Sequence, residues 1–217
     1  MQRTPWLGLA TSALTLLAAC APMTPAPDYD ARVAQMMAAS FRDEGIATAD
    51  RLQQDDANAA CSKAQGSNLP AALAEPIQQA ALRSVRMPGD GQFIGDWREG
   101  EKLAQNGRGM TWTDKSAAPA ANGGNCYNCH QIAPAEIAYG TIGPSLVHYG
   151  KNRGVTDPAS ASARPIVEYT WTKLWNAKAY NACSGMPRFG HAGVLTPAQI
   201  KDLMALLLDP KSPVNAP

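Results

Sequence analysis

The stretch Cys126-Tyr127-Asn128-Cys129-His130 decides how the rest of the chain is interpreted. Two thiols separated by two residues can form thioether bonds with the two vinyl groups of one haem. The histidine that follows directly then lies beneath the iron as an axial ligand. The motif therefore predicts one covalently bound haem c, attached through Cys126 and Cys129, with His130 as an iron ligand.

A Cys-x-x-Cys pair has three other interpretations: half of a zinc site, a redox-active pair or a chance occurrence. A zinc site needs a second Cys or His pair at zinc spacing, and the sequence contains none. A thioredoxin-like redox pair is expected near a βαβ pattern, which is also missing from the surrounding sequence. The complete five-residue motif, in a chain that begins like an exported protein, favours haem over all three.

The second axial ligand is predicted to be Met186, which lies in the segment CSGMPRFG, residues 183–190. Pro187 disfavours a helical conformation at Met186, which leaves an extended loop that can present the thioether to the iron. A thioether ligand raises the reduction potential of haem iron, which suits an electron acceptor. The alternative ligands that remain open are Met110, His148 and His191.

Two residues that follow the motif are candidates for further haem contacts. The carbonyl of Pro144 can accept a hydrogen bond from Nδ1 of His130, which would fix the histidine tautomer and strengthen its donation to iron. A plain turn at this Gly-Pro sequence is an equally open interpretation. Arg153 is a candidate partner for a haem propionate, with a solvated loop charge as the alternative.

The N-terminal sequence has the plan of an export signal, with Arg3 followed by an apolar stretch, residues 6–19, that is short for a membrane span. It ends in Leu-Ala-Ala-Cys, which resembles the bacterial lipobox, so Cys20 is predicted to become the lipidated first residue. Cleavage by ordinary signal peptidase after Ala19 or Ala21 is the alternative. We expect a periplasmic protein anchored to a membrane, with Ala21 favouring the outer membrane.

Composition indicates a loop-rich, all-α protein. The chain has 19 basic and 18 acidic residues, and this balance gives no reason to expect a nucleic-acid partner. Aromatic residues make up only 6% of the chain, beside 18 Gly and 17 Pro, which leaves little room for a large β-core. The predicted segments are a signal peptide (1–19), a flexible tether (20–29), a helical extension (30–90) and the main domain (91–217).

Capping signals predict where individual helices begin and end. Asp96 is a candidate N-cap for the first helix of the main domain. Thr196 is a candidate N-cap for the last helix, with Pro197 at the first helical position and Pro210 as the stop. In the extension, Pro76 is predicted to break or restart the helix in which it lies.

The cysteine count also predicts a disulfide. Two of the five cysteines are assigned to haem and Cys20 to lipid, which leaves Cys61 and Cys183. In an oxidising compartment two leftover thiols usually form one disulfide, which here would connect the extension to the loop that carries Met186. A free Cys183 that acts as a nucleophile or a persulfide near the haem is the alternative.

These segments together resemble SoxX, the monohaem cytochrome subunit of the SoxAX complex of sulfur oxidation. The resemblance covers about residues 91–215 and is carried by GGNCYNCHQI, YGTIGPSLVHYGKNRG, WNACSGMPRFGH and LTPAQIKDLMALLLDPKSPVN. The motif CxxCH alone occurs across class I cytochromes c. The phrases YGKNRG and MPRFGHAGVLT, in this order, are much more specific to the SoxX family.

The resemblance implies an all-α, class I cytochrome c fold with an N-terminal helical extension, in which His130 and Met186 are the axial ligands. It implies a heterodimer with a SoxA-like cytochrome that carries the catalytic haem. The pair would join thiosulfate oxidatively to a cysteine of the SoxYZ carrier. The chain itself would be a non-catalytic electron-transfer subunit of this L-cysteine S-thiosulfotransferase, and would pass the released electrons to a diffusible cytochrome c.

Two other functions are compatible with a haem motif. One is a freestanding, lipid-anchored electron carrier that serves a respiratory oxidase. The other is a haem enzyme, such as a peroxidase, with an open position on the iron. Met186 in a loop that Pro187 keeps out of a helix argues against the enzyme, because a ligand in the sixth position leaves no room for peroxide.

Overall fold

The computed structural model of the chain describes residues 27–64 and 69–216. The predicted signal peptide and Cys20 lie outside these residues. The chain divides into two compact units, and the division falls between Phe41 and Arg42 in the sequence. No helix within the described ranges is long and apolar enough to cross a membrane.

The first unit contains one described helix, α1 (Tyr29–Ser40). Asp28 caps its N-terminus by accepting a hydrogen bond from the Ala31 backbone N–H at 2.9 Å. No residue of α1 is buried, and the apolar side chains of Val33 and Met36 are exposed. Local capping and backbone hydrogen bonds therefore account for this helix better than core packing does.

The second unit is helical as well. Apart from an isolated bridge between Glu44 and Ala47, the described residues contain no β-structure, which confirms the all-α prediction. Its α-helices are α2 (Asp56–Lys63), α3 (Ala71–Arg83), α4 (Trp97–Gln105), α5 (Arg164–Trp175) and α6 (Pro197–Leu208). Short 3-10 helices span Ala49–Leu52, Pro119–Ala121, Cys126–Asn128, Lys151–Arg153, Ala161–Ala163 and Ala177–Ala179.

Helices α4 and α6 pack closely against each other near the N-terminus of α4. The backbone N–H of Gly95 donates to the Lys201 carbonyl at 3.0 Å, and that of Asp96 donates to the Asp202 carboxylate at 2.9 Å. A Cβ added to Gly100 would lie 2.7 Å from the carbonyl carbon of Asp202. Glycine is therefore required at the crossing, because any side chain would push the helices apart.

The core of this unit lies between α5 and α6. Helix α6 buries nearly its whole circumference, and Thr196 caps it as predicted, with Pro197 at the first position. The structure adds a capping box between Thr196 and Gln199. From α5, the indole N–H groups of Trp171 and Trp175 donate to carbonyls of residues 84–86, at 3.0 and 3.1 Å. These hydrogen bonds attach the end of the extension to the core.

One expectation from the sequence needs correction here. Helix α3 continues through Pro76, because the half after the proline is held by tertiary contacts, including the burial of Ala81. The compact units divide between Phe41 and Arg42. The extension from Arg42 onward shares hydrogen bonds with α5, so most of it belongs to the same compact unit as the main domain.

Candidate functional site

The cysteine motif forms one tight turn of the chain. Asn125 precedes it in the left-handed region, with φ of 50°, and the 3-10 helix Cys126–Asn128 follows. The carbonyl of Cys126 accepts hydrogen bonds from the backbone N–H of Cys129 at 3.1 Å and of His130 at 2.9 Å. The turn therefore brings both thiols and the imidazole close together in a short piece of backbone.

Cys126 packs against the hydrophobic core beside α6. A Cβ added to the preceding Gly124 would lie 3.0 Å from Cys126 Sγ and 3.8 Å from a methyl group of Leu203. Although Cys126 keeps some solvent exposure, desolvation raises the pKa of its thiol to about 12. Redox-active and nucleophilic cysteines need a lowered pKa. This environment therefore argues against a thioredoxin-like role.

Both motif cysteines are free thiols, whereas Cys61 and Cys183 form a disulfide. The predicted pairing of Cys61 with Cys183 is thus confirmed, and the alternative of a free, reactive Cys183 is wrong. The bond joins positions 122 residues apart, and chain-entropy models give a stabilisation on the order of 4 to 5 kcal/mol for a loop of this length. It connects α2 to the segment that carries Met186.

His130 is oriented by the loop that follows the motif. Its Nδ1 lies 2.6 Å from the carbonyl oxygen of Pro144, as predicted from the sequence. A carbonyl can only accept a hydrogen bond, so Nδ1 carries the proton and Nε2 keeps its lone pair. An imidazole held in this way presents Nε2 to a metal, with its basicity increased by the hydrogen bond.

Backbone hydrogen bonds tie this loop to the motif. The N–H of Gly140 donates to the Tyr127 carbonyl and that of Gly143 to the Cys129 carbonyl, both at 2.8 Å. Gly143 also lies against the imidazole ring, where an added Cβ would come within 2.6 Å of His130 Nε2. The Gly-Pro sequence at this point indicates only a turn and gives no signal for the contact of Gly143 with the ring.

Replacing Gly143 with Ala should displace the His130 ring, because the new methyl group would overlap it. Gly185 is a matched control, since a Cβ there meets no atom within 4 Å. The variants are produced under conditions that allow haem attachment. We expect Gly143→Ala to alter the NMR resonances of the iron-bound histidine, and Gly185→Ala to leave these resonances as they are in the wild type. Identical spectra for both variants would contradict this placement of Gly143.

Met186 is half-buried and packs against the same hydrophobic core as Cys126. Its backbone N–H donates to the Ser184 hydroxyl at 3.3 Å, and the next core residue along the chain is the buried Phe189. Gly190 lies against the Trp175 ring, where an added Cβ would come within 2.9 Å of Cε2. The loop is therefore held to the core just after Met186, while Met186 itself lies in irregular backbone.

Arg153 is held by Tyr149. Its guanidinium lies 3.7 Å from the centre of the tyrosine ring and donates to the Tyr149 carbonyl at 3.0 Å. The cation–π contact and the hydrogen bond together hold the arginine side chain on the surface of the core. Its pairing with a haem propionate stays a prediction.

The alternative ligands lie in different environments. His148 has φ of 58° and a buried Nδ1 that makes no hydrogen bond to any described residue. His191 is exposed, and desolvation together with the charge of Arg188 lowers its pKa below the usual value. Met110 is exposed on a left-handed backbone. None of the three packs against the core cluster that Cys126 and Met186 share within the described ranges.

The described residues contain no three-residue metal-ion site, and their surface cleft is lined by none of the predicted site residues. No group of three or more His, Cys, Asp or Glu side chains within the described ranges could hold a metal ion. A surface cleft of about 640 Å³ is lined by residues of the 107–121 loop, including Arg108, Asp114 and Lys115. No predicted site residue lines it.

No protein-family model matches the chain. The chain is 40% identical over 136 residues to an uncharacterized lipoprotein of Aquifex aeolicus (strain VF5). This match covers 61% of the chain and 58% of the relative, so the chain spans less than two thirds of that protein's length. The similarity is thus to a lipoprotein and does not by itself assign a family.

Proposed function

We propose that the chain is a c-type cytochrome that serves as the electron-transfer subunit of a SoxAX-like, thiosulfate-oxidising complex. The observation that carries the proposal is the geometry at His130, where the Pro144 carbonyl engages Nδ1 and leaves Nε2 as the metal-binding nitrogen. The two free thiols immediately before it, Cys126 and Cys129, are available for thioether bonds to one haem.

The surrounding residues fit such a group. Cys126 lies beside α6 and Met186 packs against the same core, so the attachment and ligand residues share an apolar surrounding. The packing of α4 against α6 supports a class I cytochrome c fold. A haem with imidazole and thioether ligands supplies one-electron redox chemistry at a raised potential. The chain's own task is to hold this group, to orient His130 and to exclude water.

Attachment to a membrane is supported by two independent features. Cys20 stands at the end of a lipobox-like sequence, and the similar protein of Aquifex aeolicus is named a lipoprotein. We propose that the mature chain starts at lipidated Cys20 and works in the periplasm, with the outer membrane as the favoured anchor site.

The assignment to sulfur oxidation is supported by the SoxX-like phrases over residues 91–215. A surface suited to a partner lies next to the motif, because Ile137 and Ile142 are 100% and 86% exposed on the loop that holds His130. Exposed apolar side chains this close to a redox site favour docking of another protein. The proposed partner is a SoxA-like cytochrome, with SoxYZ as carrier and a diffusible cytochrome c as acceptor.

Reconstitution tests this function. The purified protein with its haem is mixed with purified SoxA-like and SoxYZ-like proteins, and its absorption spectrum is followed. We expect a stable complex with the SoxA-like protein and reduction of the haem by thiosulfate only when all three proteins are present. A monomer that binds no SoxA-like protein and exchanges electrons with an oxidase would instead support the freestanding carrier.

Replacing Met186 with Ala should remove the thioether ligand and lower the reduction potential, since a thioether favours the reduced iron. The thioether-to-iron charge-transfer band of the oxidised protein should disappear in the same variant. Met87→Ala serves as a control, because Met87 is an exposed methionine outside the Met186 loop. An unchanged potential and band in Met186→Ala would mean that another residue is the sixth ligand.

A further inference from the structure

We propose that α2 acts as a clamp that positions Met186, through two ties on either side of this residue. One tie is the Cys61–Cys183 disulfide, and the other is the ion pair between Asp55 and Arg188. Asp55 and Cys61 are then positioning residues that act on the iron through Met186. The inference rests on the proposed role of Met186 as an iron ligand.

The two ties start from opposite ends of the same short helix. Asp55 is the N-cap of α2 and accepts a hydrogen bond from the Asn58 backbone N–H at 2.8 Å, while Cys61 lies in the last turn. A helix is a stiff spacer, so the distance between its two attachment points is fixed. The loop positions that they hold, Cys183 and Arg188, are therefore kept at a fixed separation as well.

The ion pair is well formed and partly buried. Arg188 Nη2 lies 2.6 Å from Asp55 Oδ2, and the arginine side chain is only 22% exposed. Burial would raise the pKa of Asp55, but hydrogen bonds from Asn58 and Arg188 outweigh it and lower the pKa below its usual value. The carboxylate therefore stays ionised at neutral pH, and the tie is present under ordinary conditions.

Little else holds the backbone between the two ties. Among the described hydrogen bonds, the N–H of Met186 donates only to the Ser184 hydroxyl in its own loop, and Gly185 and Pro187 are exposed. Before the loop, the buried Lys178 ammonium donates to the Ala182 carbonyl at 2.8 Å. The position of Met186 thus depends on where its neighbours are attached, and α2 provides one attachment on each side, beside the core contacts of Phe189 and Gly190.

The test compares haem-loaded variants that lack one or both ties. Asp55→Asn removes the charge of the ion pair, Cys61→Ser with Cys183→Ser removes the disulfide, and the combined variant removes both. Asp90→Asn is the matched control, because the Asp90–Lys201 pair has the same 2.6 Å separation and a similarly shielded cation but attaches to α6. Asp55→Glu keeps the carboxylate and should restore the wild-type properties.

We expect the combined variant to lose most of its thioether-to-iron charge-transfer band while remaining folded, with smaller losses in the variants that lack one tie. Oxidation of Met186 by dilute peroxide, followed by peptide mapping, should become several-fold faster. Asp90→Asn should match the wild type in both measurements. If the combined variant does not fold, reducing the disulfide in purified Asp55→Asn protein gives the same comparison.

The possible failures are distinguishable. A wild type that carries haem but lacks the charge-transfer band would overturn the ligand role of Met186 and, with it, the clamp. A wild type with the band, together with a folded combined variant that keeps both the band and the slow oxidation of Met186, would overturn the clamp alone. In that case the proposed haem site would stand.

Discussion

Exported protein in which Cys126 and Cys129 are both replaced by serine is expected to retain no covalently bound haem. A serine hydroxyl does not form the thioether bonds that the motif provides, so acid extraction should remove all haem from the variant. The wild type should keep one haem through the same treatment. Haem staining after denaturing electrophoresis measures the difference directly.

The matched control is the pair Cys61→Ser and Cys183→Ser, which removes two cysteines and leaves the motif intact. We expect this control to retain its haem, although it should be less stable to denaturant because the disulfide is lost. Loss of haem from the control to the same extent as from the motif variant would mean that attachment depends on general folding. The loss of haem from the motif variant would then not show that Cys126 and Cys129 themselves attach the haem.

Replacing Trp171 with Ala should produce the largest loss of stability among single core substitutions. The indole is 0% exposed, meets Phe93 edge-on at 5.5 Å and stacks on Trp175 at 5.8 Å. Its N–H also satisfies the Arg86 carbonyl at 3.0 Å. Truncation of a buried aromatic side chain of this kind costs about 3 to 5 kcal/mol of unfolding free energy.

Chemical denaturation of the purified protein measures this loss, with Trp112→Ala as the control because its indole is 60% exposed. The control should change the unfolding free energy by less than about 0.5 kcal/mol, as is usual for surface substitutions. A loss below about 1 kcal/mol in Trp171→Ala would contradict the described attachment of residues 84–86 to the core.

Features that depend on local chemistry were predictable from the sequence. The caps at Asp96 and Thr196 are set by side chains next to the backbone N–H groups that they satisfy. Helix α6 ends before Pro210 because proline has no N–H to continue the helical hydrogen bonds. The Cys61–Cys183 disulfide followed from counting, because each other cysteine had a chemical assignment. The Pro144 contact to His130 followed from the short distance between the two along the chain.

Features that depend on tertiary packing were not predictable in this way. Helix α3 continues through Pro76 because contacts beyond the proline outweigh the lost backbone hydrogen bond. The ion pair of Asp55 with Arg188 joins residues far apart in the sequence, and neither residue carries a local signal for it. The contact of Gly143 with the imidazole likewise becomes visible only once the loop is folded back on the motif.

The proposed function requires haem attachment at the motif, and mass mapping of the exported protein tests this attachment most directly. Proteolysis under denaturing, non-reducing conditions should release a peptide in which Cys126 and Cys129 together carry one haem, with neither cysteine open to alkylation. Cys61 and Cys183 should appear in a disulfide-linked pair of peptides. Recovery of Cys126 and Cys129 as unmodified thiols, alkylated in full, would contradict the proposed function.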